Sequence, residues 1–408
     1  MMKKLNVGVV GLGGRGYNLM EDILLPRENV DVVAVCDLYE DRTQQAAEKV
    51  KEVKGNDPFA TQDYRELLEQ ELDAVLVSNS WEQHLPVTLL AMEKGIFPGV
   101  EVGGAYSVHE LWQLIDTYER TGTPVMLLEN CCYGREELMV MRMVREGLFG
   151  EIVHASGGYL HDLRDEVAFG RENRHYRLDN YRHRNTENYP THELGPIAQI
   201  LNLNYGNRML TLTSTASRAA GMNDYLERTQ GADHDLARTP FRQGDIITTV
   251  IKCAEGETIV LTLDTTLPRF YSRGFTIRGT RGMYTEDNNS VFLDGVNDKH
   301  HFTWREHWNN AKEYQEDYEH PIWKSYLDEG IKGGHGGMDW LVFDAWLEAA
   351  ENGTEAPIDV YDMASWMVIS TLAEDSIAMG GHPVAIPDFT KGMWMKRKPR
   401  ESDRRFHE

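Results

Sequence analysis

The chain has 408 residues, 41% of them hydrophobic and 26% charged, with a formal net charge of −23. That length exceeds one ordinary domain and predicts two, each with its own apolar core. The negative charge excludes nucleic acid and anionic membrane surfaces as natural partners, because like charge repels at long range.

Leu5–Val10 (LNVGVV) reads as a buried strand and runs straight into Gly11-Leu12-Gly13-Gly14-Arg15-Gly16, which opens a helix. A second strand, Val30–Cys36, ends at Asp37, 21 residues after Gly16. Helical patterns follow around Asp41–Lys51 and Tyr64–Glu71, then a strand at Ala74–Ser78 and a helix at Leu85–Lys94. A short strand near Phe97–Val100, a helix at Val108–Arg120 and a strand at Pro124–Leu128 complete the series. Strands alternating with helices at this spacing predict an α/β Rossmann domain over residues 1–130, a doubly wound parallel sheet covered on both faces.

After about residue 150 the rhythm changes. The segments Ile152–Tyr159, Met209–Ala216, Ile246–Cys253, Thr258–Thr265, Phe275–Gly279 and Gly282–Thr285 are rich in Thr and Val. They suit a half-exposed, mainly antiparallel open sheet in a second α/β domain over 131–390. Helical patterns return at Asp339–Asn352 and Val360–Met379, and Lys391–Glu408 reads as a charged surface tail.

The four cysteines, Cys36, Cys131, Cys132 and Cys253, form neither a disulfide framework nor a C-x-x-C zinc pair. His300-His301 and the Gly-Gly-His-Gly-Gly run around His335 lack a ligand set with metal spacing, so no metal is expected. His335 between glycines fits a close-approach loop instead. The Trp/Tyr-rich run Phe302–Tyr326 suits a carbohydrate platform, a core or an interface equally. No apolar run reaches the roughly 18 residues of a membrane helix. With strand-like sequence from Leu5 on, the expected compartment is the cytoplasm, or the periplasm if an export signal has been removed.

The glycine run carries the clearest chemistry. Gly11 allows the tight turn, Gly13 lets backbone approach a pyrophosphate, and Gly16 lets helix and strand pack closely. The pyrophosphate then lies on the helix N-terminus, where unpaired N–H groups and the dipole favour an anion. Asp37 can accept from a ribose hydroxyl and repels a 2′-phosphate, which predicts NAD rather than NADP.

The arrangement resembles the glucose–fructose oxidoreductase/inositol dehydrogenase superfamily, whose ordinary members carry Glu-Lys-Pro after the fifth strand. Here the matching residues are Glu101-Val102-Gly103, and Asn188 stands where those members have an aspartate, four residues before His192. The blocks Glu129–Asp162 and His175–Ser217, including HYRLDNYRHRNTENYPTHELGP, resemble glycoside hydrolase family 109, NAD-dependent α-N-acetylgalactosaminidases. The resemblance covers nearly the whole chain. It implies NAD contacts at Arg15, Gly16, Asp37, Trp81, Glu82, Gln83, His84, Glu101, Val102 and Asn130. It implies sugar contacts at Tyr159, Arg177, Tyr189, Pro190, Thr191, His192 and Tyr271.

In that chemistry NAD takes part without net redox. Oxidation at the sugar's C3 acidifies the C2 proton, the glycosidic oxygen leaves by elimination, water adds, and C3 is reduced again. His192 is the candidate base for the C3 hydroxyl, because imidazole titrates near neutrality. Tyr133 and Tyr189 are candidates for proton transfer at C2 or O1. Tyr159 and Tyr271 suit the sugar face, and Arg177 suits a hydroxyl or the acetamido carbonyl. The expected partner is a small N-acetylgalactosaminide, with self-association into a homo-oligomer by analogy with the superfamily. The alternative is an NAD-dependent sugar dehydrogenase, which the missing lysine and aspartate disfavour.

Overall fold

The computed structural model describes residues 4–298, 300 and 304–398. His301, the start of the Phe302–Tyr326 run and the tail from residue 399 therefore lie outside the described residues. The chain divides into two compact units, and the division is discontinuous. Among the described residues, one unit runs to Tyr133 and takes back Tyr326–Ala364; the other holds Gly134–Ser325 and Ser365–Lys398.

In the first unit six strands form a wholly parallel sheet: β1 (Leu5–Val10), β2 (Val30–Cys36), β3 (Phe59–Thr61), β4 (Ala74–Val77), β5 (Phe97–Val100) and β6 (Met126–Leu127). Their spatial order, β3-β2-β1-β4-β5-β6, reverses direction between β1 and β4. In open α/β sheets that reversal opens a crevice at the carboxyl ends of the strands, where ligands bind. The continuous apolar runs are explained by burial on both faces: Val7, Val9, Val32, Ala34, Val75 and Val77 have no exposed surface. Helix Met338–Asn352 returns to this unit and lays Trp346 on β5. A Cβ on Gly99 would lie 2.5 Å from the Trp346 ring, so β5 carries glycine where the indole sits.

The second unit holds an eight-stranded sheet of β7 (Ile152–Leu160), β8 (Met209–Ala216), β9 (Ile246–Cys253), β10 (Thr258–Asp264), β11 (Thr276–Gly279), β12 (Gly282–Thr285), β13 (Ser290–Leu293) and β14 (Val384–Ala385). The order is β13-β12-β11-β7-β10-β9-β8-β14, and β7 with β10 is the parallel pair within an otherwise antiparallel sheet. Alternation along the strands sets two faces: Ile247, Ile251, Ile259, Leu261 and Leu263 are buried, while Thr248, Val250, Val260 and Thr262 lie on the more open side. Helix Thr191–Ile200 packs on β7, where a Cβ on Gly157 would meet Glu193 Cβ at 2.7 Å. The described residues past Lys391 are tied down: Gly206 N donates to Trp394 O (2.7 Å), and the Arg397 guanidinium lies over the Tyr205 ring at 4.5 Å.

Candidate active site

In the first unit the glycine turn behaves as its spacing requires. Gly11 has φ +96°, and a Cβ there would lie 2.3 Å from the Asn79 backbone nitrogen. A Cβ on Gly16 would lie 2.0 Å from Gly11 O and 2.4 Å from Ser78 Oγ, so the helix presses directly on the turn. At Gly13, by contrast, a Cβ would meet only Arg42 Nη1, at 3.6 Å. That open cradle sits at the N-cap of helix Gly14–Leu19, which no side chain caps, and it fits a pyrophosphate. Asp37 is buried and accepts from Leu12 N (2.7 Å) on one oxygen and Tyr39 N (3.0 Å) on the other. Each oxygen retains a second acceptor position, as a ribose hydroxyl requires.

Arg15 is the hub of this unit. Its Nε and Nη2 donate to Glu101 (3.3 and 3.1 Å), and its Nη2 and Nη1 donate to Asp339 (2.9 and 2.7 Å). Nη1 also lies 3.3 Å from His335 Nδ1. A guanidinium has five N–H groups, and the two carboxylates engage four of them. Burial works against the Arg15 charge, but Glu101 and Asp339 overcome it and hold the pKa well above the ordinary value. Burial likewise works against the Asp339 charge, and the bonds from Arg15 and His335 overcome that, holding its carboxyl well below the ordinary range. Asp339 further accepts from Asn130 Nδ2 (2.8 Å). His335 Nδ1 lies 2.8 Å from Asp339 Oδ2, closer than to Arg15, so the hydrogen-bond network assigns the proton to Nδ1 and leaves the Nε2 lone pair for other work.

Trp81, Glu82, Gln83 and His84 form the first turn of helix Trp81–Glu93, which starts four residues earlier than its hydrophobic pattern suggests. The Trp81 indole packs on Gly103, where a Cβ would stand 2.4 Å from its Cδ1. Glycine at the end of Glu101-Val102-Gly103 is therefore required by the Trp81 ring. Val102 is buried. His84 is buried too; burial pushes it down to about 4, against the bond its ring makes to Asn79 O, so it is neutral at pH 7.

The second unit gathers the predicted sugar residues into one aromatic cluster. Tyr159 and Tyr189 have ring centroids 4.2 Å apart, and His192 stands edge-on to Tyr189 (4.8 Å, 89°) and Tyr159 (5.4 Å). The Arg177 guanidinium lies 5.2 Å from the Tyr189 centroid and 5.8 Å from that of Tyr159, and it pairs with Glu166 at 2.8 Å. Burial opposes the Arg177 charge, yet Tyr159 and Glu166 keep its pKa well above the ordinary value. Tyr159 OH meets His161 Nδ1 at 3.0 Å, and the His161 ring stands edge-on to half-exposed Tyr271 at 5.2 Å. Pro190 caps helix Thr191–Ile200, which places Thr191 and His192 in its first turn.

A charged layer supports this cluster. Arg273, two residues past Tyr271, pairs with Glu137, lies 3.7 Å from Glu193 and 3.8 Å from Glu286, and so links three elements. Burial pushes the Glu137 carboxyl up to about 7 against the pull of Arg273. Two residues before Tyr189, Glu187 is 1% exposed, and burial pushes its carboxyl up to about 8 against the Tyr189 N–H.

Residues 133–396 match the glycosyl hydrolase 109 C-terminal domain, and residues 5–127 match the NAD-binding Rossmann fold of an oxidoreductase family. A glycosyl hydrolase family 109 protein of Stenotrophomonas maltophilia is 38% identical over 97% of this chain and 91% of its own length. An alpha-N-acetylgalactosaminidase of Tannerella forsythia is 37% identical over 97% of this chain and 88% of its own length. The chain belongs to glycosyl hydrolase family 109. Its fold is shared with an NAD binding oxidoreductase from Klebsiella pneumoniae (TM-score 0.68, 14% identity, 94% of this chain and 99% of that one).

As a family 109 member the protein is an NAD-dependent glycosidase with a carbohydrate substrate. Within the first unit the structure brings together Gly11, Gly13, Arg15, Gly16, Asp37, Glu101 and Asn130. Within the second it brings together Tyr159, Arg177, Tyr189, His192 and Tyr271. Tyr133 closes the turn Asn130–Tyr133 and is fully buried. Sequence reasoning missed Asp339, 324 residues from Arg15, and the supporting carboxyls Glu187 and Glu193. The Gly-Gly-His-Gly-Gly run was the available signal for the first of these. No helix among the described residues is long and apolar enough to cross a membrane.

Proposed function

We propose that the protein releases terminal α-linked N-acetylgalactosamine by transient oxidation at C3, elimination of the aglycone, addition of water and re-reduction. The observation that carries this reading is His192, a buried imidazole held edge-on between two tyrosines with a buried guanidinium over both of those rings. The cluster offers a proton acceptor, aromatic faces for a sugar ring and a cation for its hydroxyl or acetamido oxygen. The name of the Tannerella forsythia relative supports the choice of sugar.

Bound NAD supplies a reversible acceptor for the C3 hydride. The chain's own residues handle the protons. His192 takes the proton of the C3 hydroxyl as the carbonyl forms and returns it at the end. Tyr189 and Tyr133 are the candidates for removing the C2 proton, whose electron pair forms the C1–C2 double bond as the C1–O1 bond breaks. The same two tyrosines are the candidates for delivering a proton to the departing O1. Asp37 holds the adenosine ribose.

A chromogenic α-N-acetylgalactosaminide, supplied without NAD, tests this reading. Aglycone release with no accumulation of NADH is expected, and His192→Ala should slow it by roughly 10²–10⁴-fold. Steady NADH production on added NAD, with no aglycone release, would instead mark a sugar dehydrogenase.

A further inference from the structure

Asp339 reaches the cofactor-binding unit from a segment far along the chain, and it meets that unit where a dinucleotide must lie. Its partners Arg15 and Asn130 follow β1 and β6, and Glu101, which shares Arg15 with it, follows β5. All three therefore sit at carboxyl ends of the parallel strands, along the crevice side of the sheet. Asp339 also holds His335.

The segment carrying it has the build of a clasp. Gly333, Gly336 and Gly337 have φ of +72°, +66° and +101°, and His335 itself sits at +51°, a conformation non-glycine residues rarely adopt. A Cβ on Gly333 would stand 2.5 Å from Ile23 Cδ1, so this loop lies against the turn Met20–Leu24 that continues helix Gly14–Leu19. Farther along, Arg27 pairs with Asp344, donates to Trp340 O (3.2 Å) and lies 3.9 Å from the Trp340 centroid. The outer part of the segment is thus fixed by Arg27, whereas the bonds of the 333–339 loop to Arg15 and Asn130 run through Asp339.

We propose that Asp339 is a positioning residue that retains NAD: it clasps the 333–339 loop to Arg15 and Asn130, and the dinucleotide leaves only when that clasp opens. This rests on the reading of a redox-neutral glycosidase, which gains nothing from exchanging its cofactor. A contact that must open before a ligand leaves acts on the dissociation rate.

The test follows dissociation of NADH from the full chain by its fluorescence on dilution, with aglycone release measured separately. Asp339→Asn should speed NADH release by roughly tenfold or more. Asp344→Asn, which disturbs the same segment away from the hub, should leave the rate unchanged. If Asp339→Asn does not fold, Asp339→Glu, displaced by one methylene, carries the same expectation. Unaltered NADH release in the Asp339 variant would overturn the proposal, as would equal acceleration by Asp344→Asn. A wild-type chain that releases NADH slowly but cleaves no N-acetylgalactosaminide would overturn the glycosidase reading and leave the clasp standing.

Discussion

Arg15 spends four of its five guanidinium N–H groups on Glu101 and Asp339. Its proposed contact with NAD comes from the remaining Nη1 N–H, from its backbone N–H in the first helical turn or from the flat face of the side chain. Glu187 presents the opposite case, a carboxyl held neutral by burial beside Tyr189. Its pKa rises from the ordinary 4.5 to about 8, so the folded chain keeps a proton that the unfolded chain releases between those values. Stability from this group is complete below about pH 4.5 and is lost as pH rises toward 8, at no more than about 1.4 kcal/mol per pH unit. Glu187→Gln should remove that decline, so that urea midpoints at pH 5.5 and 8 differ less in the variant than in wild type. Equal pH dependence in both would contradict the assignment. Gly11, Gly13, Gly16 and Asp37 were legible because one turn and one strand fix their spacing. Asp339 was not, because its partner lies 324 residues away, and no local pattern encodes such a pairing. Glu187 was not, because burial of a polar loop residue depends on what folds over it.

Among elements, the strands were the more readable, because runs such as Leu5–Val10 and Ile246–Cys253 carry their face alternation or full burial in the letters themselves. Helix Trp81–Glu93 begins before its apolar stripe does, since its first turn exposes Glu82 and Gln83. The short β3 strand, whose residues are partly exposed, gave no hydrophobic signal. The helix after the glycine turn yields a paired prediction. A Cβ at Gly16 meets Gly11 O at 2.0 Å, whereas one at Gly14 meets nothing within 4 Å. Gly16→Ala should therefore lower the stability of the NAD-free protein by about 1–3 kcal/mol, the usual range for overpacking, and weaken NAD binding. Gly14→Ala should leave thermal stability unchanged or raise it slightly, as Gly to Ala in a helix does. Thermal melting of the two variants without NAD checks this, and the reverse ranking would contradict the packing described.

At the scale of the whole molecule, the chain combines a parallel-sheet unit that binds NAD with a mixed-sheet unit that carries the aromatic cluster. The change of rhythm near residue 150 revealed the two sheets. The return of Tyr326–Ala364 to the first unit left no trace in periodicity, because the apolar residues of a helix such as Met338–Asn352 mark it as buried without marking the sheet it packs on. The central claim is that this glycosidase works by elimination through a C3 ketone, and it makes a demand on one bond. The C2 hydrogen must leave and return in every productive turnover, whereas direct displacement at C1 by paired carboxylates never touches it. Hydrolysis of an α-N-acetylgalactosaminide in heavy water, followed by mass spectrometry of the released sugar, reads that bond directly. Deuterium at C2 is the predicted result; a C2 position that stays protiated through complete hydrolysis would contradict the account.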